Sequence, residues 1–315
     1  MYYNKFIGGN MRLSMKAVIG IVSFMFMVSL FAGPAYAGGK ATPLVETEWL
    51  ADNLSNVKVV FVDNWPSDKE QYMKKHVKGS VYMGIGALMG ALGDGTTPPD
   101  QAKFEGIMNR LGINNGDHVV LYGADADSVF TLGAFWIMEY FGHENVSFLD
   151  GGLAKWNADS LPSEGGMMKP APGKYKAGNR DESIRIDAAG VLAALGDSKS
   201  AIVDARGTAQ YTGVENNDKN KRVGHLPGAA DLDATTANFN ADHTVKSVAD
   251  LKAVYDSKGV TADKNVITYC QAGLKAANSY FILKHILGYK NVKMYVGSWS
   301  EWGNRVDFDK YPIEK

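Results

Sequence analysis

The sequence predicts an α/β protein made of two tandem domains, each a mainly parallel sheet flanked by helices. Three observations lead there. Short apolar runs of strand character alternate with helical patterns, as βαβ units require. The alternation is gone through twice in the same order, which marks an internal repeat. A stretch rich in Gly, Pro and Lys, residues 166–181, separates the two passages and reads as a linker, giving domains at 41–165 and 182–315. The 315 residues are enough for two ordinary domains, and 45% hydrophobic against 21% charged residues is a globular balance. A net charge of −1, with no block of Lys and Arg, excludes a nucleic-acid footprint.

The first 37 residues stand apart. Lys5, Arg12 and Lys16 precede an apolar stretch from Ala17 to about Phe31, and Gly33-Pro34-Ala35-Tyr36-Ala37 follows. A charged start, a short apolar core and an Ala-x-Ala site predict a cleavable secretory signal, hence a periplasmic or secreted protein beginning near Gly38. The stretch is short for a membrane span and no second one follows, so no membrane attachment is expected after cleavage. An uncleaved anchor is the alternative, and Met11 or Met15 could be the true start. Removing the three basic residues leaves the 34 acidic side chains in slight excess.

The elements of the repeat pair off one by one. Val59-Val60-Phe61-Val62-Asp63 is a buried-strand run ending in an acid, and Ala201-Ile202-Val203-Asp204 repeats it. His76-Val77-Lys78-Gly79-Ser80 answers His225-Leu226-Pro227-Gly228-Ala229. A central strand follows in each half, 118–122 and 265–269, then a helix, Leu132 to Phe141 and Lys275 to Leu287. Gly142 and Gly288 supply the expected helix stops. Each half then runs through Asn-Val into another strand, 145–149 and 291–295, and closes on glycine turns with tryptophan, Trp156 in the first half, Trp299 and Trp302 in the second. Ala276, Ala277, Tyr280, Phe281, Leu283 and Leu287 recur at helical spacing and are expected to face the sheet. Core packing is the expected fate of both tryptophans, and His118, His143 and His285 read as ordinary helix or loop residues.

Cys270 is the only cysteine. It ends the apolar run Val266-Ile267-Thr268-Tyr269 and is followed by Gln271-Ala272-Gly273-Leu274-Lys275, so a strand delivers its sulfur to the start of a helix. Free backbone N–H groups and the helix dipole favour an anion there, and the thiol is expected to ionise below the usual value of about 8.5. One cysteine makes neither an intramolecular disulfide nor a metal cage, so no metal and no cofactor is expected. A buried, inert cysteine is the bland alternative. Keeping one thiol in an oxidising compartment, where it has no structural pairing to make, shifts weight toward chemistry.

Taken in order, Val203-Asp204-Ala205-Arg206, Gly224-His225-Leu226-Pro227-Gly228-Ala229, Tyr269-Cys270-Gln271-Ala272-Gly273, Gly297-Ser298-Trp299-Ser300-Glu301-Trp302 and, in the first half, Leu149-Asp150-Gly151-Gly152-Leu153-Ala154-Lys155-Trp156 resemble the rhodanese family, more narrowly its tandem-domain thiosulfate sulfurtransferases. The resemblance spans nearly the whole mature chain. It implies that the second repeat is catalytic and that the first has lost its cysteine: Gly123 stands where Cys270 stands, Asp125 and Asp127 would repel an anion, and Asn64-Trp65 replaces Ala205-Arg206. The first domain is then expected to wall the cleft and stabilise the second.

The resemblance further implies transfer of a sulfane sulfur from a small anionic donor to cyanide or a thiol, through a persulfide on Cys270. The residues meet the physical needs. Backbone N–H groups from Gln271 through Ala272, Gly273, Leu274 and Lys275 to Ala276 can curl around an anionic terminal sulfur, Gly273 permits the bend, and no proline removes a donor. Arg206 and Lys275 are the expected contacts to the donor's charge, Arg206 with a bidentate grip; a salt bridge is the alternative for each. Asp204 is expected to orient the loop or pair locally, and His225 to be structural. Three rivals remain. A 3-mercaptopyruvate sulfurtransferase typically shows Gly-Ser-Gly-Val-Thr after the cysteine, where this chain brings Lys275. Phosphatases of related fold place arginine six positions after the cysteine, where this chain has Ala276. A persulfide carrier would hand its sulfur only to a protein partner.

Overall fold

The computed structural model describes residues 41–63, 67–124, 130–216, 220–307 and 309–315. The expected leader, Asn64-Trp65, Asp125 and Asp127 lie outside the described residues. Residues 38–315 form one compact unit, and within the described residues no helix is long and apolar enough to cross a membrane.

The first half contains β1 (Leu44–Val45), α1 (Thr47–Asn53), β2 (Lys58–Val62), α2 (Asp68–Lys74), β3 (His76–Val77), β4 (Val81–Met83), α3 (Ile85–Leu92), α4 (Gln101–Arg110), β5 (Val119–Tyr122), α5 (Thr131–Tyr140), β6 (Val146–Leu149), α6 (Gly152–Ala158) and β7 (Ser163–Glu164). The second contains β8 (Arg185–Ile186), α7 (Ala188–Ala194), β9 (Ser200–Asp204), α8 (Thr208–Tyr211), β10 (Ala230–Asp231), α9 (Ala234–Asn238), α10 (Val248–Ser257), β11 (Asn265–Tyr269), α11 (Leu274–Phe281), β12 (Val292–Tyr295) and α12 (Ser298–Trp302). The sheets run β1-β6-β5-β2-β4 and β10-β9-β11-β12-β8, five parallel strands each. Read from the opposite edge, the second order is the first with each strand replaced by its repeat. The α/β tandem architecture is thus the one the sequence predicts.

Strand periodicity explains the layers. In β2, Val60 and Val62 join the core under α3, α4 and α5, while Val59 and Phe61 join the one under α1, α2 and α6. In β11, Val266 faces inward and Ile267 and Tyr269 face α7 and α12. Continuing that alternation one step past the strand puts Cys270 on the inner side, where the two domains share one core. The domains meet through equivalent helices: Phe135 of α5 and Phe281 of α11 pack edge to face with centroids 5.0 Å apart.

Gly142 and Gly288 end their helices at φ +76° and +71°, as expected of left-handed stops. The second helix differs from the expected continuous run to Leu287: after Phe281 it widens into a π-turn over Ile282–Ile286. That turn carries His285, whose Nε2 lies 3.0 Å from Glu139 Oε2 on α5, and the same oxygen accepts from Tyr280 Oη at 3.0 Å. The expected linker is firmly held. Tyr175 is buried against Phe104, and its N–H donates to Asn109 Oδ1 at 2.7 Å. Each domain is also closed by an antiparallel strap on its His turn, Glu164 opposite His76 and Glu314 opposite His225. Each strap's glutamate accepts the N–H of the turn glycine, Gly79 at 2.8 Å and Gly228 at 2.9 Å. His225 is structural here, its Nδ1 2.9 Å from Tyr211 O and its ring stacked on Tyr211.

Candidate active site

Cys270 leaves β11 between two fixed points. Its N–H donates to Ser298 Oγ at 3.1 Å, and its carbonyl accepts from Trp299 N at 2.9 Å. Gln271 O accepts from Ser300 N at 2.9 Å. The chain then turns at Gly273, φ +85°, a conformation that suits a residue without a side chain, and α11 begins at Leu274. This turn aims the N–H groups of Ala276, Ala272, Lys275 and Gly273 at the sulfur. Gln271, Ala272, Gly273, Leu274, Lys275 and Ala276 therefore form one loop and first helical turn around Cys270.

The expected easy ionisation of that thiol is corrected by its surroundings. Cys270 is 3% exposed, and burial pushes its pKa above the ordinary value, the four N–H groups recovering part of the cost. The sequence shows the helix start; it does not show that the sulfur lies in the core the two domains share.

Arg206 forms a salt bridge within the protein, the alternative expected for it. Its side chain is 3% exposed and two of its three nitrogens donate to the protein: Nε to Asp204 Oδ1 at 2.9 Å, and Nη2 to Asp204 Oδ2 at 2.6 Å and to Gly224 O at 2.7 Å. Its guanidinium also packs 4.5 Å from the centre of the Trp299 ring. Burial alone would lower its pKa; the Asp204 carboxylate more than offsets this and keeps it charged. The bidentate grip expected on a donor is thus made on Asp204, two residues earlier, in a buried rather than surface pair. Asp204 also accepts from the hydroxyl of Tyr269, whose oxygen takes Leu226 N–H at 3.1 Å. Arg206 and Asp204 hold the ends of β9 and β11 together beneath the loop. Lys275 is half-buried and makes no ion pair among the described residues.

Four residues that sequence reasoning missed complete the frame. Ser298 is fully buried at φ +50°, strained for a residue with a side chain, and its hydroxyl bridges Cys270 N–H to Tyr295 O at 2.7 Å. Its place in the Gly-Ser-Trp run was the available signal. Gln271 Nε2 donates to Asn220 Oδ1 at 3.1 Å and Ser300 Oγ at 3.0 Å, and Asn304 Nδ2 donates to the same Asn220 oxygen at 3.0 Å. Nothing in the local sequence points to Asn220. Trp299 and Trp302 are buried, as expected of core residues.

The first domain repeats the frame without the sulfur. Gly123 O accepts from Leu153 N at 2.9 Å, the counterpart of Cys270 O and Trp299 N. A rhodanese-like domain pattern matches residues 46–159 and again 187–305. The chain belongs to the rhodanese family. The "Sulfur carrier protein TtuD" of Thermus thermophilus is 34% identical over 279 residues, covering 84% of this chain and 94% of its own length. A "putative thiosulfate sulfurtransferase" of Mycolicibacterium smegmatis is 33% identical over 84% of this chain and 95% of its own. The 3-mercaptopyruvate sulfurtransferase of Escherichia coli K12 is 31% identical over 87% and 99%. Among solved structures, an anaerobic ergothioneine biosynthesis enzyme of Chlorobium limicola shares the fold, with TM-score 0.76 at 20% identity over 87% of this chain and 70% of that one. This rhodanese is therefore a tandem-domain member of a sulfurtransferase family.

Proposed function

We propose that this chain moves a sulfane sulfur from thiosulfate to cyanide or a thiol through a persulfide on Cys270. The observation that carries the reading is the convergence of four backbone N–H groups, from Ala272, Gly273, Lys275 and Ala276, on the Cys270 sulfur. The Cys270 thiolate attacks the outer sulfur of thiosulfate, the S–S bond of the donor breaks, and sulfite leaves with the bonding pair. The new terminal sulfur carries the negative charge, which the N–H groups hold as they would any anion at a helix start. Cyanide then takes that sulfur as thiocyanate and the Cys270 thiolate returns. With Arg206 committed to Asp204, Lys275 is the side-chain cation left in the loop for the donor's sulfonate. That cation favours thiosulfate over 3-mercaptopyruvate.

One relative bears on a second reading, a carrier that discharges to a protein, since that similar protein is named a sulfur carrier. Intact mass spectrometry after incubation with thiosulfate, and separately with 3-mercaptopyruvate, tests both. A gain of one sulfur atom, reversed by cyanide and absent from Cys270→Ser, is the expected result. Loading without discharge to cyanide or small thiols favours the carrier, and no loading from either donor overturns the assignment. Export belongs to the same proposal: the chain recovered from outside the cytoplasm should begin near Gly38, and an intact Met-initiated chain there would overturn cleavage.

A further inference from the structure

We infer that Gly133, on helix α5 of the first domain, is a positioning residue for the sulfur-holding loop of the second. Gly133 lies inside a buried helix and is absent from the residues of positive φ, so backbone freedom does not explain it. Alanine would be the better helix former there. What a side chain there would meet is the other domain: a Cβ on Gly133 would stand 2.5 Å from Leu274 Cδ2, so the Leu274 side chain would have to shift, against 3.5 Å from Leu88 Cδ2. The notch left by the missing methyl is where Leu274 sits, and Leu274 is the first residue of α11. Its two neighbours in the chain, Gly273 and Lys275, both aim their N–H groups at the Cys270 sulfur.

The loop is backed from the other side as well. A Cβ on Gly273 would meet Val296 O at 3.1 Å, and the first domain's Gly95 lies directly against the Gly297 backbone. The first turn of α11 is thus seated between α5 and the end of β12, and the depth of Leu274 in the Gly133 notch sets how far its N–H groups stand from the sulfur. The domain without a cysteine acts on the reaction through one absent methyl group.

The inference rests on Cys270 as the residue that carries the sulfur, and its deciding readout needs no donor. In the full chain, the pH dependence of Cys270 alkylation by iodoacetamide is measured for the parent, Gly133→Ala, Leu274→Ala and the double variant, with sulfur loading from thiosulfate followed in parallel. Gly133→Ala should push Leu274 outward, raise the alkylation midpoint by about one pH unit and slow loading about tenfold, the size of a misplaced cradle. Leu274→Ala alone should shift the midpoint the same way by unseating the turn. The double variant, with one methyl filling the notch, should lie closer to the parent than either single. An unshifted midpoint in Gly133→Ala, or a double variant whose shift is the sum of the two, overturns the inference. Should Gly133→Ala not fold, an unshifted midpoint in Leu274→Ala overturns it alone. Shifted midpoints in a chain that takes no sulfur from either donor would count against the sulfurtransferase reading and leave the positioning intact.

Discussion

A buried thiol ringed by N–H donors has two opposing influences on it, and burial is the larger at Cys270. Alkylation of the free protein should therefore rise on the alkaline side of the ordinary cysteine value of about 8.5, and a midpoint below that value would contradict the assignment of cause. Gly273→Ala should cost about 1–2 kcal/mol of stability, from its left-handed backbone, and slow sulfur loading by turning the N–H groups away; urea unfolding and mass-spectrometric loading read the two effects. At Arg206 the same scale separates pairing from substrate contact. Arg206→Ala leaves the buried Asp204 without its cation, keeping only the Tyr269 hydroxyl and the N–H of residue 206, so about 3–5 kcal/mol of stability should go with it, visible in the urea midpoint without any donor. The sequence offered both residues as candidates. What it left open was which partner Arg206 takes, because an acid two residues back competes with a substrate only once β9 and its loop have a shape.

At the scale of elements, β6 is followed directly by Asp150, whose carboxylate reaches the second domain and accepts Val245 N–H at 2.8 Å. Burial, with Glu46 and Asp242 nearby, raises its pKa to about 6. The folded protein then holds this proton more tightly than the unfolded chain, near 3.8. The associated stability is full below about pH 4 and is lost as pH rises through about 6. Asp150→Asn keeps an acceptor for Val245 and removes the titration. It should stabilise the fold at pH 7 by on the order of 2 kcal/mol, and the gain should vanish by pH 4. Melting temperatures of both proteins at the two pH values decide it. Element positions were legible in sequence because the strands alternate and the helices end on glycine. The π-turn after Phe281 was not, since Ile282 and Leu283 fit an ordinary helix equally well, and only Glu139 across the boundary gives His285 a reason to be displaced.

As a whole, the molecule joins two copies of one plan through the same face of each, with Phe135, Phe148, Phe281 and Leu274 in a single core. Residues 182–315 made alone would expose that face and are expected to aggregate or bind hydrophobic dyes; a soluble, cooperatively melting fragment would show that the cores are separable. Accordingly the full chain should unfold in one calorimetric transition. The repeat was plain in the sequence, yet not the way its copies meet, and the burial of Cys270 and the contact of Gly133 with Leu274 both belong to that meeting. The enclosure also has a consequence outside the transfer reaction. A sulfur that is 3% exposed, its pKa pushed up by burial, offers less thiolate to peroxide or to bulky thiols than an open cysteine would. If the chain works where accessible cysteines are oxidised, the enclosure that makes this thiol slow to ionise is also what spares it.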